Sequence, residues 1–260
     1  MRPGPAQLWP DVAPQWILNL PQWLEDFFYR IFKCFLFDNR YELYATGLVN
    51  TLILTALALM MGVVLGVVVA LIRASWDKNG SEMQGIGKIL MKVLNSICQV
   101  YLTVIRGTPV LVQLMIWYFV VFASSRNGML VAAFAFGINS GAYVAEIIRS
   151  GIMSVDAGQM EAGRSLGFGY VATMRFIVLP QAFKAVLPAL ANEFIVLLKE
   201  TSVAAFVSVA DLTYAGNVVG GVSYDYLFPL LLTAAIYLAM VMFFTALVGK
   251  LERRLRTSER

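Results

Sequence analysis

The chain has 260 residues, 59% hydrophobic and only 14% charged, with a mean hydropathy of +0.72 and a formal net charge of +4. That balance excludes an ordinary soluble domain, and the lack of any histidine excludes His-based triads, His metal ligands and imidazole proton relays. The two cysteines, Cys34 and Cys98, stand 64 positions apart; two thiolates do not close a metal site, so no metal site is expected, and no disulfide between them either.

The first residues, "MRPGPAQLWP", lack a continuous apolar core, so no signal peptide is expected and insertion is assigned to later segments. Residues 1–40 form an N-terminal extension. Its aromatic stretch "WLEDFFYRIFKCFLF" is interrupted by charge and reads as an amphipathic helix lying at the membrane interface. Residues 41–256 then carry runs without charge that match the roughly 18 to 20 residues needed to cross a bilayer. Residues 43–72 give 30 such positions, 107–125 give 19, 127–145 give 19 and 226–249 give 24. Five spans are predicted, near 43–72, 93–124, 127–148, 183–200 and 226–249, making an all-α membrane protein.

Basic residues sort by loop. Arg73, Lys78, Lys88 and Lys92 follow the first span, Arg149, Arg164, Arg175 and Lys184 follow the third, and Lys250, Arg253, Arg254, Arg256 and Arg260 fill the tail. Residues 201–225 hold no Lys or Arg. The positive-inside rule therefore predicts the N-terminus outside and the C-terminus in the cytoplasm. Arg2, Arg30, Lys33 and Arg40 count the other way, but three of them lie in or next to the interfacial stretch. Asn79, Gly80 and Ser81 match a glycosylation triplet; on the cytoplasmic face it is a coincidence.

Polar groups inside the spans are candidates for function, because a charge at bilayer depth costs about 2.5–3.5 kcal/mol on insertion scales. Arg106 opens "RGTP" inside the second span, where Gly107 and Pro109 together predict a broken helix. The half-helix from Thr108 onward would offer N–H groups to an anion such as an α-carboxylate. Glu193, beside Asn192 and midway along the fourth span, would suit an α-ammonium or a cationic side chain, or else an internal ion pair with Arg106. Gln113 and Asn139 either bond across helices or line the path. The candidate substrate-binding set is thus Arg106, Gly107, Thr108, Gln113, Asn192 and Glu193. Gly62 and Gly66, and again Gly137 and Gly141, form small-residue faces that let helices pack closely in lipid. Asp211 and Asp225 read as solvated loop charges, with contact to a partner as the alternative.

Between the third and fourth spans lies "EAGRSLGFGYVATMRFIVLP", residues 161–180, on the predicted cytoplasmic face. A short helix is expected from 161, with Glu161 in its first turn, glycines at 163, 167 and 169 allowing close approach, and Pro180 opening the next helix. Such a stretch suits docking into a cleft of another protein. Gly167, Gly169 and Ala172 also match a dinucleotide fingerprint, but that reading needs a preceding strand in a βαβ unit.

The spacing of Glu161, Ala162, Gly167, Ile177, Leu179 and Pro180 resembles the signature loop of importer-type ABC transporter permeases. Gly163 stands where Ala is commoner. The blocks "VIRGTPVLVQL", "INSGAYVAEIIRSGI", "VDAGQMEAGRSLG" and "PALANEFIVLLKETS" are similar to the subgroup that imports polar amino acids, over about residues 43–256. The resemblance implies a type I importer permease fold with a coupling loop at about 150–182, in which Glu161, Ala162, Gly163, Leu166, Gly167, Ile177, Leu179 and Pro180 meet a separate ATPase. It also implies two ATPase copies, a second permease subunit, like or unlike, an extracytoplasmic binding protein and an amino acid substrate, in the cytoplasmic membrane of a prokaryote. No nucleic acid partner is implied. The sequence holds no G-x-x-x-x-G-K-[ST], so ATP and Mg are assigned to the partner, no cofactor to this chain, and the chain is not read as an enzyme. The alternatives are an ion-coupled secondary transporter, which predicts an internal repeat, and a scaffold that transports nothing.

Overall fold

The computed structural model describes residues 4–81 and 83–257. Arg2, Arg260 and the side chains of Arg256 and Asn79, weighed above, lie outside that description. Among the described residues every regular element is helical. In chain order they are α1 (Pro5–Val12), α2 (Gln15–Leu18), α3 (Gln22–Ile31), α4 (Tyr41–Asn79), α5 (Gly85–Gly107) and α6 (Val110–Ile116). Then follow α7 (Gly128–Met153), α8 (Ala157–Ser165), α9 (Tyr170–Thr173), α10 (Leu179–Glu200), α11 (Leu212–Ser223) and α12 (Leu227–Thr257). Among the described residues, five helical stretches are long and apolar enough to cross a membrane, starting at Tyr41, Gly85, Gly128, Tyr170 and Leu227. The fourth begins 13 residues before the predicted edge: α9 runs through a π turn at Met174–Val178 into α10, and Pro180 sits just past that turn. The wider turn accommodates a residue with no N–H to donate, and Gln181 Nε2 donates to the Ile177 carbonyl at 3.0 Å.

Two compact units make up the chain. The first joins Met1–Leu52 with Ser202–Met240, and the second joins Ile53–Thr201 with Val241–Arg260. In the second unit the predicted small-residue faces meet each other. A Cβ on Gly62 would lie 3.0 Å from the Ser140 Cβ, one on Gly66 2.8 Å from the Val144 Cβ, and one on Gly137 2.8 Å from the Met61 Cβ. Glycine thus lets α4 and α7 approach along two turns, where dispersion rather than water exclusion holds helices together in lipid. On the neighbouring side α5 joins through Val69, Cys98, Leu102, Ala142 and Ala145. Phe194 meets Phe244 edge-on at 4.9 Å, which ties α10 to α12.

The first unit corrects the reading of residues 201–225. Asp211 is fully buried, not a solvated loop charge. Its carboxylate caps α11, accepting from the Tyr214 N–H at 2.7 Å and from the Tyr237 hydroxyl at 3.5 Å. Thr51 Oγ1 accepts from the Leu212 N–H at 3.1 Å, and Asn50 Nδ2 donates to the Ala210 carbonyl at 2.8 Å. Gly47 leaves room for the Asp211 carbonyl, which a Cβ would meet at 2.6 Å. Asp225 is also engaged, at 3.2 Å from Arg30. The N-terminal helices fold on a small core of Trp9, Ala13, Ile17 and Phe32, and Trp9 Nε1 donates to Glu25 at 3.3 Å.

Two outcomes follow from this packing. Gly66→Ala should cost about 1–3 kcal/mol by overpacking and lower the melting temperature, whereas Gly249→Ala, with nothing within 4 Å of the new methyl, should not; equal melting would contradict the α4–α7 contact. Burial pushes the Asp211 carboxyl up to about 6, with the Tyr214 N–H opposing the rise. Its folded value lies above the unfolded one, so the stability it contributes is complete near pH 4 and is lost as pH rises through about 6, on the order of 3 kcal/mol. Asp211→Asn keeps a capping side chain and should flatten that part of the pH–melting profile.

Candidate functional site

α5 ends at Gly107, the backbone turns extended at Thr108, and Pro109 starts α6. The break is where the sequence places it. A carbonyl freed at membrane depth must find a donor, and Gln113 supplies it. Its Nε2 lies 2.7 Å from the Ile105 carbonyl and 3.1 Å from the Thr108 carbonyl, and 2.7 Å from Thr108 Oγ1. Thr108 Oγ1 in turn donates to the Val104 carbonyl at 2.8 Å. Asn139 Nδ2, from α7, donates to Gln113 Oε1 at 3.1 Å. Gln113 is buried and committed to this repair. Gln113 and Thr108, both in the candidate substrate set, bond to each other and line neither of the two cavities described next.

The repair leaves Arg106 on the last turn of α5, beside a cavity of about 470 Å³. Arg106, Tyr143, Glu146, Ser150, Ser154 and Glu193 are its polar lining. Arg106 stands over the Tyr143 ring at 5.4 Å and 4.0 Å from Glu146 Oε2. Glu193 accepts from Ser140 Oγ at 2.9 Å, and the alternative Arg106–Glu193 pair is not formed among the described residues. Both residues nonetheless face one space. Asn192 is exposed and lines neither cavity, because it lies about 100° round the helix from Glu193. A second cavity of about 520 Å³ shares Arg106 and Glu146 with the first and adds Arg73, Gln99, Thr103 and Gly107. Glu146 was not singled out from sequence because it falls one residue beyond the uncharged run 127–145. Arg149 Nη2 holds its Oε2 at 3.3 Å while Arg149 Nη1 reaches Asp77 at 3.0 Å, giving an alternating charge chain from Asp77 to Arg106. Among the described residues no group of His, Cys, Asp or Glu could hold a metal.

The loop after α7 differs in detail from expectation. α8 starts at Ala157, not 161, because Asp156 caps it by accepting from the Gly158 N–H at 2.7 Å. Glu161 therefore sits in the second turn. The helix ends in a Schellman motif: the Phe168 N–H reaches the Gly163 carbonyl at 3.1 Å and the Gly167 N–H reaches the Arg164 carbonyl at 3.0 Å. Gly167 adopts φ +85, which a side chain would strain. Gly163 is buried, and a Cβ there would run into Thr173 and Ile177, so glycine rather than alanine fits this loop. No strand precedes Gly167 among the described residues, in keeping with the dinucleotide match being a coincidence. Ala74, Ile152, Val178 and Ala182 form one buried cluster under the loop, with Val155, Met160 and Met174 packed against it. Leu166 (76% exposed), Val171 (75%) and Phe176 (65%) remain uncovered on this segment.

The comparisons with known proteins give this architecture a family. The model described as binding-protein-dependent transport system inner membrane component matches residues 85–257, and the chain belongs to that family. The arginine transport system permease protein ArtQ of Bacillus subtilis (strain 168) is 34% identical over 216 residues, 82% of this chain and 92% of the relative. The L-cystine transport system permease protein TcyB of the same organism is 36% identical over 212 residues, 80% of this chain and 85% of the relative. A putative glutamine transport system permease protein of Rickettsia bellii (strain RML369-C) is 34% identical over 215 residues, 82% and 92% of the two chains. Among solved structures, an amino acid ABC transporter with histidines aligns at a TM-score of 0.73 and 42% identity over 82% of this chain and 94% of that one. The MetNI methionine ABC transporter aligns at 0.70 and 19% identity, over 84% and 98%, and shares the fold. This chain is a permease subunit of an amino acid ABC transporter, a multi-pass protein of the inner membrane.

Replacing Gln113 by Leu should orphan the Ile105 and Thr108 carbonyls and the Asn139 amide, costing about 1–3 kcal/mol per unpaired group. A fall in melting temperature of the purified protein checks this; unchanged melting would show that the break is satisfied by other groups.

Proposed function

We propose that the chain moves a polar L-amino acid inward, with its N-terminus outside, its C-terminus in the cytoplasm, and ATP and Mg bound only by partner subunits. The observation that carries the substrate reading is the cavity holding Arg106, Glu146 and Glu193 together. A guanidinium suits the α-carboxylate. Two carboxylates against one guanidinium leave an excess of negative charge, so a substrate with a cationic side chain is favoured over a neutral zwitterion. Glu193 meets the α-ammonium or the side-chain cation, and Glu146, steadied by Arg149, meets the other.

The motor is external. Two ATPase subunits would grip the 161–180 loop of each permease in a pair, with Leu166, Val171 and Phe176 entering a groove and Gly167 setting the turn. Supporting this reading, the loop is packed onto Ala74 of α4, Ile152 of α7 and Ala182 of α10, so a displacement of α8 is transmitted to helices that line the cavity. Glu161, Ala162 and the Ile177, Leu179, Pro180 corner complete the docking face. An extracytoplasmic binding protein would deliver the substrate, and two permease copies, identical or paired with a similar chain, would enclose the path.

In the assembled, reconstituted complex, Glu193→Gln should abolish amino-acid-stimulated ATP hydrolysis while the subunits still copurify. The wild type should be stimulated more by cationic than by neutral amino acids. Full stimulation of the variant would remove Glu193 from the site, and equal response to neutral substrates would remove the charge argument.

A further inference from the structure

The N-terminal helices carry aromatic surface that the transport mechanism does not use. α3 buries Phe28 and Tyr29 against the Trp9, Ile17 and Phe32 core. Its other face presents Trp23 (71% exposed), Phe27 and Ile31 at helical spacing, and Trp16 on α2 is also exposed. Two contacts fix this face at the start of the last span: Phe27 meets Phe228 edge-on at 5.7 Å, and Arg30 pairs with Asp225 at 3.2 Å. The first span begins at Tyr41, only ten residues after α3 ends.

Tyr224 and Tyr226 stand beside the same corner, and both are exposed. Tyr224 closes α11 in the left-handed region at φ 54 with nearly its whole side chain uncovered. That position ordinarily favours glycine, and an exposed tyrosine there gains nothing from the folded chain itself. A ring that is apolar in body and polar at its tip is at home at the boundary between headgroups and acyl chains.

We propose that residues 4–40, together with the α11–α12 turn, form an aromatic collar seated in the bilayer boundary where α4 and α12 start. The occupant of the exposed face is lipid, because both span starts adjoin it and each apolar run enters the bilayer there. The seat depends on aromatic rings rather than on basic residues. Arg30 is paired with Asp225, Arg40 is buried with its Nη1 donating to the Lys33 carbonyl at 2.8 Å, and the half-buried Lys33 adds a single charge. The collar thus holds the first and last spans together at one membrane face, independently of the substrate cavity.

The test uses the full chain in vesicles, in a Trp76→Phe and Trp117→Phe background, with fluorescence read with and without Trp16→Ser and Trp23→Ser. These two side chains are exposed, so their replacement leaves the N-terminal core intact. The signal lost in the serine variants should be blue-shifted. It should be quenched more by lipids brominated near the headgroup than by lipids brominated near the chain ends, equally in zwitterionic and anionic vesicles. Quenching by aqueous iodide alone would overturn the proposal. So would resistance to both quenchers, which would mean that a second copy or another protein covers the face.

Discussion

A helix broken inside a bilayer survives only if other groups take over the hydrogen bonds it has lost, and in this protein one glutamine does so. Gln113 bridges the two carbonyls left by the break at Thr108 and Pro109 and is itself held by Asn139 of α7. The turn that carries Arg106 is fixed against α7, facing Tyr143 and Glu146. Without that repair the cavity would have no fixed cation at this end.

The same helix, α7, links the cavity to the loop that follows it. Its middle supplies Ser140, Tyr143 and Glu146 to the site, and its end supplies Ile152 to the cluster beneath α8. Small residues along it admit α4 at close range, so the element bearing the site has little freedom to shift alone. One helix thus contributes both to the cavity wall and to the buried cluster beneath the loop.

Much of this was legible in the sequence because its causes are local. Uncharged length gives the first, third and fifth spans, whereas the second, predicted at 93–124, is the charged helix Gly85–Gly107, with the uncharged run 107–125 falling on the break and α6. Gly107 and Pro109 give the break, glycines four apart give the close-packed faces, and Gly167 gives the turn after α8. What escaped notice depends on contacts between distant segments. Asp211 looked like a loop charge because nothing nearby shows that Gly47, Asn50 and Thr51, some 160 positions earlier, close over it. Glu146 was missed because its meaning comes from Arg106 and Arg149 rather than from its neighbours. Gln113 was left open between bonding across helices and facing the path, since a single polar residue in a span does not reveal which carbonyls it serves. Asp156 outcompeted Glu161 as the start of α8, a choice between two carboxylates that only capping geometry settles.

The central claim is that an external nucleotide-driven motor holds the loop around Gly167. A cysteine replacing exposed Leu166, in a Cys34→Ala and Cys98→Ala background, tests it by crosslinking within the assembled transporter. The account predicts a crosslink to the ATPase subunit whose yield changes between nucleotide-free and ATP-bound states, with labelling of the free permease only by reagents admitted to the cytoplasmic side. Labelling from the exterior, or a loop that never captures the ATPase in any nucleotide state, would contradict it.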